Sequence, residues 1–464
     1  MRLSTLSRFI FANKITLTIV ALLLEVSLCV LNAHTTLKCS SLEIAKENAA
    51  DVAIGWGEMT LRILKNTPKG SPTYNSRSLG YMGVAMYECV VHSSNDKKSM
   101  VGQLNGLSSL PQPEVRKKYN WILVLNAGQS YLLKKLYSHT SDNNKSAIDS
   151  LENYTIENEN VDAKIVERST FFGRAIAEAI YEWSKTDGGH EGSLHNFDTT
   201  YQLPIGKGYW QAPAKGQSTF PYPLHHFWGQ NRTFAPKNLI LSVPEMKITF
   251  DHNIESEYYK QMNNVRVKNT QLTQEEKEIA NWWSDDPSET FSPPGHSYHL
   301  ATIAIKISKA DLVKASETYA RVGMSVADAF INCWKCKYTY HAERPANFIF
   351  LNITTLWELY WPEPPFPAFY SGHAAQGSAM ATVLSDMYGN NFTFIDDSHV
   401  GRPDDRERLV AYKERTYHSF LEAAKESAMS RFYGGIHTQQ DNEVGLTEGS
   451  KIGNNINSLN WNSK

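Results

Sequence analysis

The chain has 464 residues, 41% of them apolar and 11% aromatic, enough to fill one large core or two ordinary ones. With 46 basic against 48 acidic residues the formal net charge is −2, which removes the electrostatic case for nucleic acid. No fixed-period repeat stands out, and five cysteines in a chain this long do not make a disulfide framework.

At the start, Arg2, Arg8 and Lys14 precede the uncharged "ITLTIVALLL", which Glu25 interrupts before a polar "NAHTTLK". A membrane span needs about 20 apolar residues, so the pattern describes a secretory signal over residues 1–33, cleaved after Ala33, better than a span. Cys39, followed by Ser40 and Ser41, is the other possible end, as a lipidated first residue, although Leu37 and Lys38 fit such a signal poorly. No other stretch is long and apolar enough to cross a bilayer. The expectation is a secreted or periplasmic protein that meets a membrane only through such an anchor; the oligomeric state is left open.

Further along, apolar residues recur at spacings of three and four in "GYMGVAMYECVV" (80–91), "GRAIAEAIYEWSK" (173–185), "AFINCWKCKYTYHAER" (329–344) and "HSFLEAAKESAMSRF" (418–432), which predicts helices. Strand alternation is scarce, and "LILSVPEMKITF" (239–250) is the best short candidate. Loops are expected at 186–193, 204–224 and 285–296. The aromatic, Gly/Pro-rich stretch 204–229 is too long to hang free and should pack on the body. The charged "DDSHVGRPDDRER" (396–408) reads as a solvated insertion. The fold expected is mainly α with little β: two four-helix-bundle-like halves, an N-terminal region over 40–300 and a C-terminal one over 301–464.

Three short motifs carry the chemistry. In "WKCKYTYHAERP", Trp334, Lys337, His341 and Arg344 are spaced to share one helix face, and Pro345 should end the run. An exposed basic face would give the same pattern. Cys333 and Cys336 in this stretch, with no second pair to complete a zinc site, read as buried small residues rather than a redox or metal pair. In "YSGHAAQG", Ser371 is a good helix N-cap, Gly372 offers a backbone N–H, and His373 follows in the first turn, which makes an oxyanion site or a plain capped helix. In "SRFYGGIHTQQD", Arg431 closes a helix, Gly434 and Gly435 turn the chain, and Asp441 lies four residues after His437, where it can orient the imidazole. Together these residues suit a tetrahedral or trigonal-bipyramidal oxyanion: Arg supplies forked donors, Lys a point charge, and the histidines a ligand or nucleophile and a proton donor.

Lys337-x6-Arg344-Pro345, Ser371-Gly372-His373 and Ser430-Arg431-x5-His437-x3-Asp441, in this order, resemble the signature motifs of the vanadium-dependent haloperoxidases and type 2 phosphatidic acid phosphatases. The likeness covers roughly residues 330–445 and is nearest to bacterial haloperoxidases. It implies that His437 binds the vanadium of vanadate, that His373 is the acid–base residue, and that Lys337, Arg344, Ser371, Gly372 and Arg431 hold the equatorial oxygens. Lys337 would also polarise peroxide, and Asp441 would back His437. By the same resemblance Trp334 and Phe366 form a pocket wall, and Asp286 matches a carboxylate that pairs with the acid–base His, unless the register slips onto Asp285. Tyr370 departs from the family, which usually has Pro before Ser-Gly-His. The implied function is a vanadate-dependent haloperoxidase that uses hydrogen peroxide to oxidise iodide, bromide or chloride. The alternative is an acid phosphatase that hydrolyses phosphate monoesters through a phosphohistidine at His437. A third reading is an oxyanion-binding protein without catalysis.

Overall fold

The computed structural model describes residues 50–463 except 214, 215 and 288; the expected signal segment and Cys39 lie outside the described residues. Helices make up 56% of the described residues, and the only sheet among them has two strands, as the sparse alternation in the sequence implies. No described helix is long and apolar enough to cross a membrane.

Five helices come first: α1 (Ala50–Asn66), α2 (Pro72–Val90), α3 (Trp121–Leu136), α4 (Asp142–Asn158) and α5 (Ala163–Ser184). After two short helices, α6 (Pro236–Leu239) and α7 (Glu257–Asn269), come α8 (Gln274–Trp282), α9 (Ser292–Ser308) and α10 (Leu312–Tyr340). The chain then forms α11 (Pro345–Asn352), α12 (Gly372–Tyr388), a hairpin of β1 (Phe394–Asp396) and β2 (Arg415–Tyr417), α13 (Phe420–Tyr433) and α14 (Gln439–Asn457). Local chemistry sets most starts: Ser71, Asn120, Ser141, Asp311, Ser371 and Thr438 each accept a backbone N–H of the first turn.

Helix α10 is the axis of the molecule. Its 29 residues are buried along almost their whole length, packed by α2 on one side and α12 on another. The helices α1 to α5 gather around α2 and α3, while α12 and α14 pack on α10 and on each other, and α13 packs on α12 and α14. Residues 50–463 thus belong to one unit built of two helical groups that share α9 and α10.

The second group is held by backbone-to-backbone contact. Gly445, Gly449 and Gly453 lie four apart on α14 and face α12. A Cβ at Gly445 would stand 2.8 Å from the Ser371 carbonyl, one at Gly453 2.8 Å from the Ala379 carbonyl, and one at Gly449 would overlap the Ala375 carbonyl. The Ser371 N–H also donates to the Asp441 carbonyl at 3.1 Å, so the start of α12 is tied to the start of α14. Gly449→Ala is expected to lower stability by about 2–3 kcal/mol in urea denaturation, because only a backbone shift relieves the overlap. Gly372→Ala is the control, since its Cβ would meet nothing closer than 3.8 Å.

Four local expectations change. The helix expected through Arg344 ends at Tyr340: His341 takes a left-handed φ of 50° and turns its Nε2 to Tyr201 Oη at 2.7 Å, away from the expected stripe. Pro345 excludes a helical conformation at Arg344 but is well suited to the first helical position, so it opens α11 instead of merely closing α10. Similarly, the expected loop 285–296 yields its last residues to α9, with proline in the first turn. Residues 239–250 form no strand, because side chains satisfy their backbone: Gln440 brackets the Ile248 N–H and C=O at 2.8 and 3.2 Å, and Lys335 and Tyr340 donate to the Leu241 and Pro244 carbonyls. The insertion 396–408 is not wholly solvated either, since Asp396 and His399 are buried. The stretch 204–229 does pack on the body, with Trp210, Gln217 and Leu224 bonding through their backbone N–H groups to His341, Glu363 and Pro365.

Candidate active site

The three motifs meet. Lys337 comes from the last turn of α10, Arg344 from the residue before α11, and Ser371, Gly372 and His373 from the start of α12. Arg431 comes from the last turn of α13, and His437 lies two residues before α14. Lys337, Arg344, Ser371, Arg431 and His437 are all buried.

Each side chain is held from behind. Lys337 Nζ donates to the Pro367 and Ala368 carbonyls at 2.9 and 2.6 Å, which leaves the third ammonium proton for a ligand. Arg344 Nε and Nη1 donate to the Phe366 and Ile436 carbonyls at 3.0 and 2.9 Å, and Nη1 also lies 3.4 Å from His437 Nε2. Arg431 Nη1 donates to the Trp283 carbonyl at 2.7 Å and lies 3.2 Å from His373 Nε2, while its guanidinium sits 4.2 Å over the Trp361 ring. His437 Nδ1 is 3.0 Å from Asp441 Oδ2, and the same oxygen accepts the Thr438 N–H. An arginine can only donate, so the nitrogens facing Arg344 and Arg431 are acceptors. His437 therefore carries its proton on Nδ1, shared with Asp441, and turns the Nε2 lone pair into the site. Ser371 caps α12 by accepting the Ala374 N–H at 3.4 Å.

The group is crowded with positive charge that the protein does not fully balance. Burial pushes Lys337 down to about 8, Arg344 down to about 10 and Arg431 down to about 9. Burial, then Arg431, holds His373 well below the usual histidine range; burial, then Arg344, does the same to His437. Arg344 Nη2 and Arg431 Nε are buried donors with no acceptor. Buried polar atoms are seldom left so. Two guanidinium edges, an ammonium and an imidazole lone pair converging in one place are the donor set of a multiply charged oxyanion, and vanadate or phosphate fits it.

A pH dependence follows. Lys337 binds its proton more weakly in the folded chain than in the unfolded one. Stability therefore carries the full penalty below about 8 and recovers as pH rises toward 10.5, where the unfolded chain still holds the proton and the folded chain has released it. The difference is roughly 3 kcal/mol. Lys337→Met is expected to remove the part of the rise that begins near pH 8 and leave the later part due to Arg431 and Arg344, measured by urea denaturation of anion-free protein between pH 7.5 and 10.

The group lies at the edge of a cavity of about 1320 Å³, lined on this side by Trp334, Phe366, Gly372, His373, Arg431 and His437. The Trp334 and Phe366 rings pack 4.8 Å apart, with Lys337 Nζ 5.3 Å from the Phe366 centroid. Asp286 also lines the cavity; it accepts from Gln217 at 3.3 Å, and its charge acts on Arg431. Asp285 turns inward to His296 and His399. Tyr370 is buried with its ring against Phe369, and its carbonyl accepts the Cys333 thiol at 3.3 Å; Cys333 and Cys336 are free and buried, as their place on α10 implies. His296, Asp396 and His399 were not legible as site residues. The one signal was a polar "DDSH" placed directly after the apolar "FTFI".

Residues 317–460 match the family model of the VCPO second helical-bundle domain. No curated protein matches the chain. Among solved structures, the first bacterial vanadium-dependent iodoperoxidase is 28% identical, with a TM-score of 0.76 over 89% of this chain and 97% of that one. The apo and holo forms of a bacterial vanadium-dependent chloroperoxidase share the fold at 15% and 14% identity, each with a TM-score of 0.61 over 89% of this chain and over 94% and 93% of theirs. Residues 317–460 thus carry the likeness to the second helical-bundle domain of that family, and the described chain as a whole shares the fold of bacterial vanadium-dependent haloperoxidases of known structure.

Proposed function

We propose that the chain is a vanadate-dependent haloperoxidase that uses hydrogen peroxide to oxidise a halide, iodide before bromide or chloride. The observation that carries this reading is the buried cradle itself: two guanidinium donors without acceptors, around the lone pair of His437 Nε2. The likeness of both helical groups to vanadium-dependent relatives favours peroxidase over phosphatase. Similarity to an iodoperoxidase, and the ease with which iodide gives up electrons, put iodide first. The start of the sequence supports export from the cytoplasm, where such an enzyme would meet external peroxide and halide.

When bound, vanadate supplies a Lewis acid that makes peroxide electrophilic toward halide. The protein does the rest. His437 offers Nε2 as the ligand, and Asp441 fixes that tautomer by accepting the proton on Nδ1. Lys337, Arg344, Arg431 and the Gly372 N–H meet the oxyanion's negative oxygens without having to reorganise. His373, neutral at Nε2, accepts a proton from arriving peroxide and returns it as water leaves. Over the cycle one peroxide, one halide and one proton give one hypohalous acid and one water. Trp334 and Phe366 wall the cradle and limit the water that reaches it.

The test uses metal-free protein with and without orthovanadate, assayed for peroxide-dependent iodide and bromide oxidation and for hydrolysis of a chromogenic phosphate ester. Halide oxidation only with vanadate is the expected result. Ester hydrolysis that vanadate inhibits, without halide oxidation, would make His437 a phosphorylated nucleophile.

A further inference from the structure

Behind the cavity wall lies an ionic group that the cradle does not use. His296, at the start of the second turn of α9, is fully buried. Its Nδ1 lies 3.0 Å from Asp285 Oδ2 and 3.1 Å from Oδ1, and its Nε2 lies 2.8 Å from Asp396 Oδ2. Asp396 is held in turn by Trp282 Nε1 at 2.7 Å and the Ser398 N–H at 3.0 Å, and Asp285 takes His399 Nε2 at 2.9 Å. Both carboxylates are buried. A neutral imidazole has one N–H, so with an anionic oxygen on each ring nitrogen it would turn a lone pair on one of them. Ser398 Oγ also lies 2.9 Å from Nε2 and could donate to a bare nitrogen or accept from a protonated one, but a carboxylate can only accept, so the ring satisfies both Asp285 and Asp396 only as an imidazolium. The Trp283 ring stacked on it at 4.3 Å suits a cation. Burial opposes the charge, but Asp285 and Asp396 outweigh it and lift the imidazole to about 10.

The other charged groups in reach are few. Asp286 and Arg431 face Asp285 from the cavity side, and His299, paired with Asp397 at 2.9 Å, stands beside Asp396. Asp285 is a link to the cradle: burial disfavours the protonated forms of Arg431 and His373, Asp286 and then Asp285 favour the protonated Arg431, and Asp285 alone of the two favours the protonated His373.

We propose that His296 is a positioning residue, an imidazolium clamped between Asp285 and Asp396 that keeps Asp285 ionised and fixed as the counter-charge to Arg431 and His373. The effect on turnover rests on the haloperoxidase reading; the charge state of His296 does not.

The first test is therefore free of activity. Full-length, vanadate-free protein labelled with ¹⁵N-histidine is followed by NMR from pH 6 to 9. One imidazole with both nitrogens protonated across the range, missing in His296→Gln, is the expected result. If every imidazole is neutral by pH 8, the proposal fails. It also fails if the purified protein carries one divalent metal per chain that His296→Gln removes, since the ring would then be a neutral ligand. The wild-type spectrum alone decides should the variant not fold. The second test is Asp396→Asn. Losing one of two carboxylates drops the His296 pKa by about 1–3 units. The basic limb of kcat/KM for iodide should then move down by about one pH unit, with vanadate affinity unchanged. An unmoved limb overturns the positioning role. Absence of halide oxidation in the wild type overturns the haloperoxidase reading instead, and the limb is then measured on ester hydrolysis.

Discussion

His437→Ala is expected to remove turnover, by roughly a thousandfold or more, under either enzymatic reading. His437 Nε2 turns its lone pair into the cradle, and Asp441, itself fixed by the Thr438 N–H, holds the ring in that orientation. Alanine leaves Lys337, Arg344 and Arg431 in place, so an oxyanion should still bind, electrostatically and reversibly. Calorimetric titration with vanadate and with phosphate checks this: vanadate affinity should fall toward that of phosphate while phosphate affinity changes little. Unchanged vanadate affinity would make the site a simple anion binder. His373→Ala should behave differently, keeping vanadate while impairing halide oxidation.

The second large effect is expected at Arg344. Its guanidinium has three tasks: Nε and Nη1 anchor the Phe366 and Ile436 carbonyls, and Nη2, buried without an acceptor, is left for an anion. A lysine keeps the charge but has no fork, so Arg344→Lys cannot meet both carbonyls and an anion at once. Oxyanion affinity should weaken about a hundredfold, which corresponds to roughly 3 kcal/mol. Stability should fall by about 1–3 kcal/mol as a buried carbonyl loses its donor. Vanadate titration and urea denaturation measure the two separately. Full stability with lost affinity would mean that the carbonyls find other donors. Lost stability with full affinity would mean that Nη2 does not contact the anion.

Much of this was readable in the chain because it is local. Ser371 before an Ala-rich run announces a capped helix, and the Gly434–Gly435 turn between Arg431 and His437 predicts two helix ends facing one point. Burial of α10 follows from the apolar periodicity around Cys333 and Trp334. What escaped was decided by tertiary contact. The 3, 4, 3 spacing from Trp334 to Arg344 fits a helix perfectly well until Pro345 is given its other use, as the start of α11. The segment 239–250 has a strand's composition, but Gln440, some 190 residues away, supplies its partner groups. Asp285, His296, Asp396 and His399 come from three separate stretches, and none carries a spacing that a reader of sequence could join. The carboxylate nearest the cradle illustrates the same limit: at Asp285 and Asp286, adjacent residues differ wholly in partners.

The close approach of α12 and α14 has a consequence for how such a protein can diverge. Where two backbones touch, no side chain sets the separation, so the distance from the Ser371–His373 segment to His437 is insensitive to ordinary repacking. Much of the cavity wall in front comes instead from segments between helices, among them Gln217–Phe220, Glu289–Phe291 and Val400–Pro403. The geometry of the cradle is thus set by helix contact, whereas part of the cavity wall in front of it can change without moving those helices.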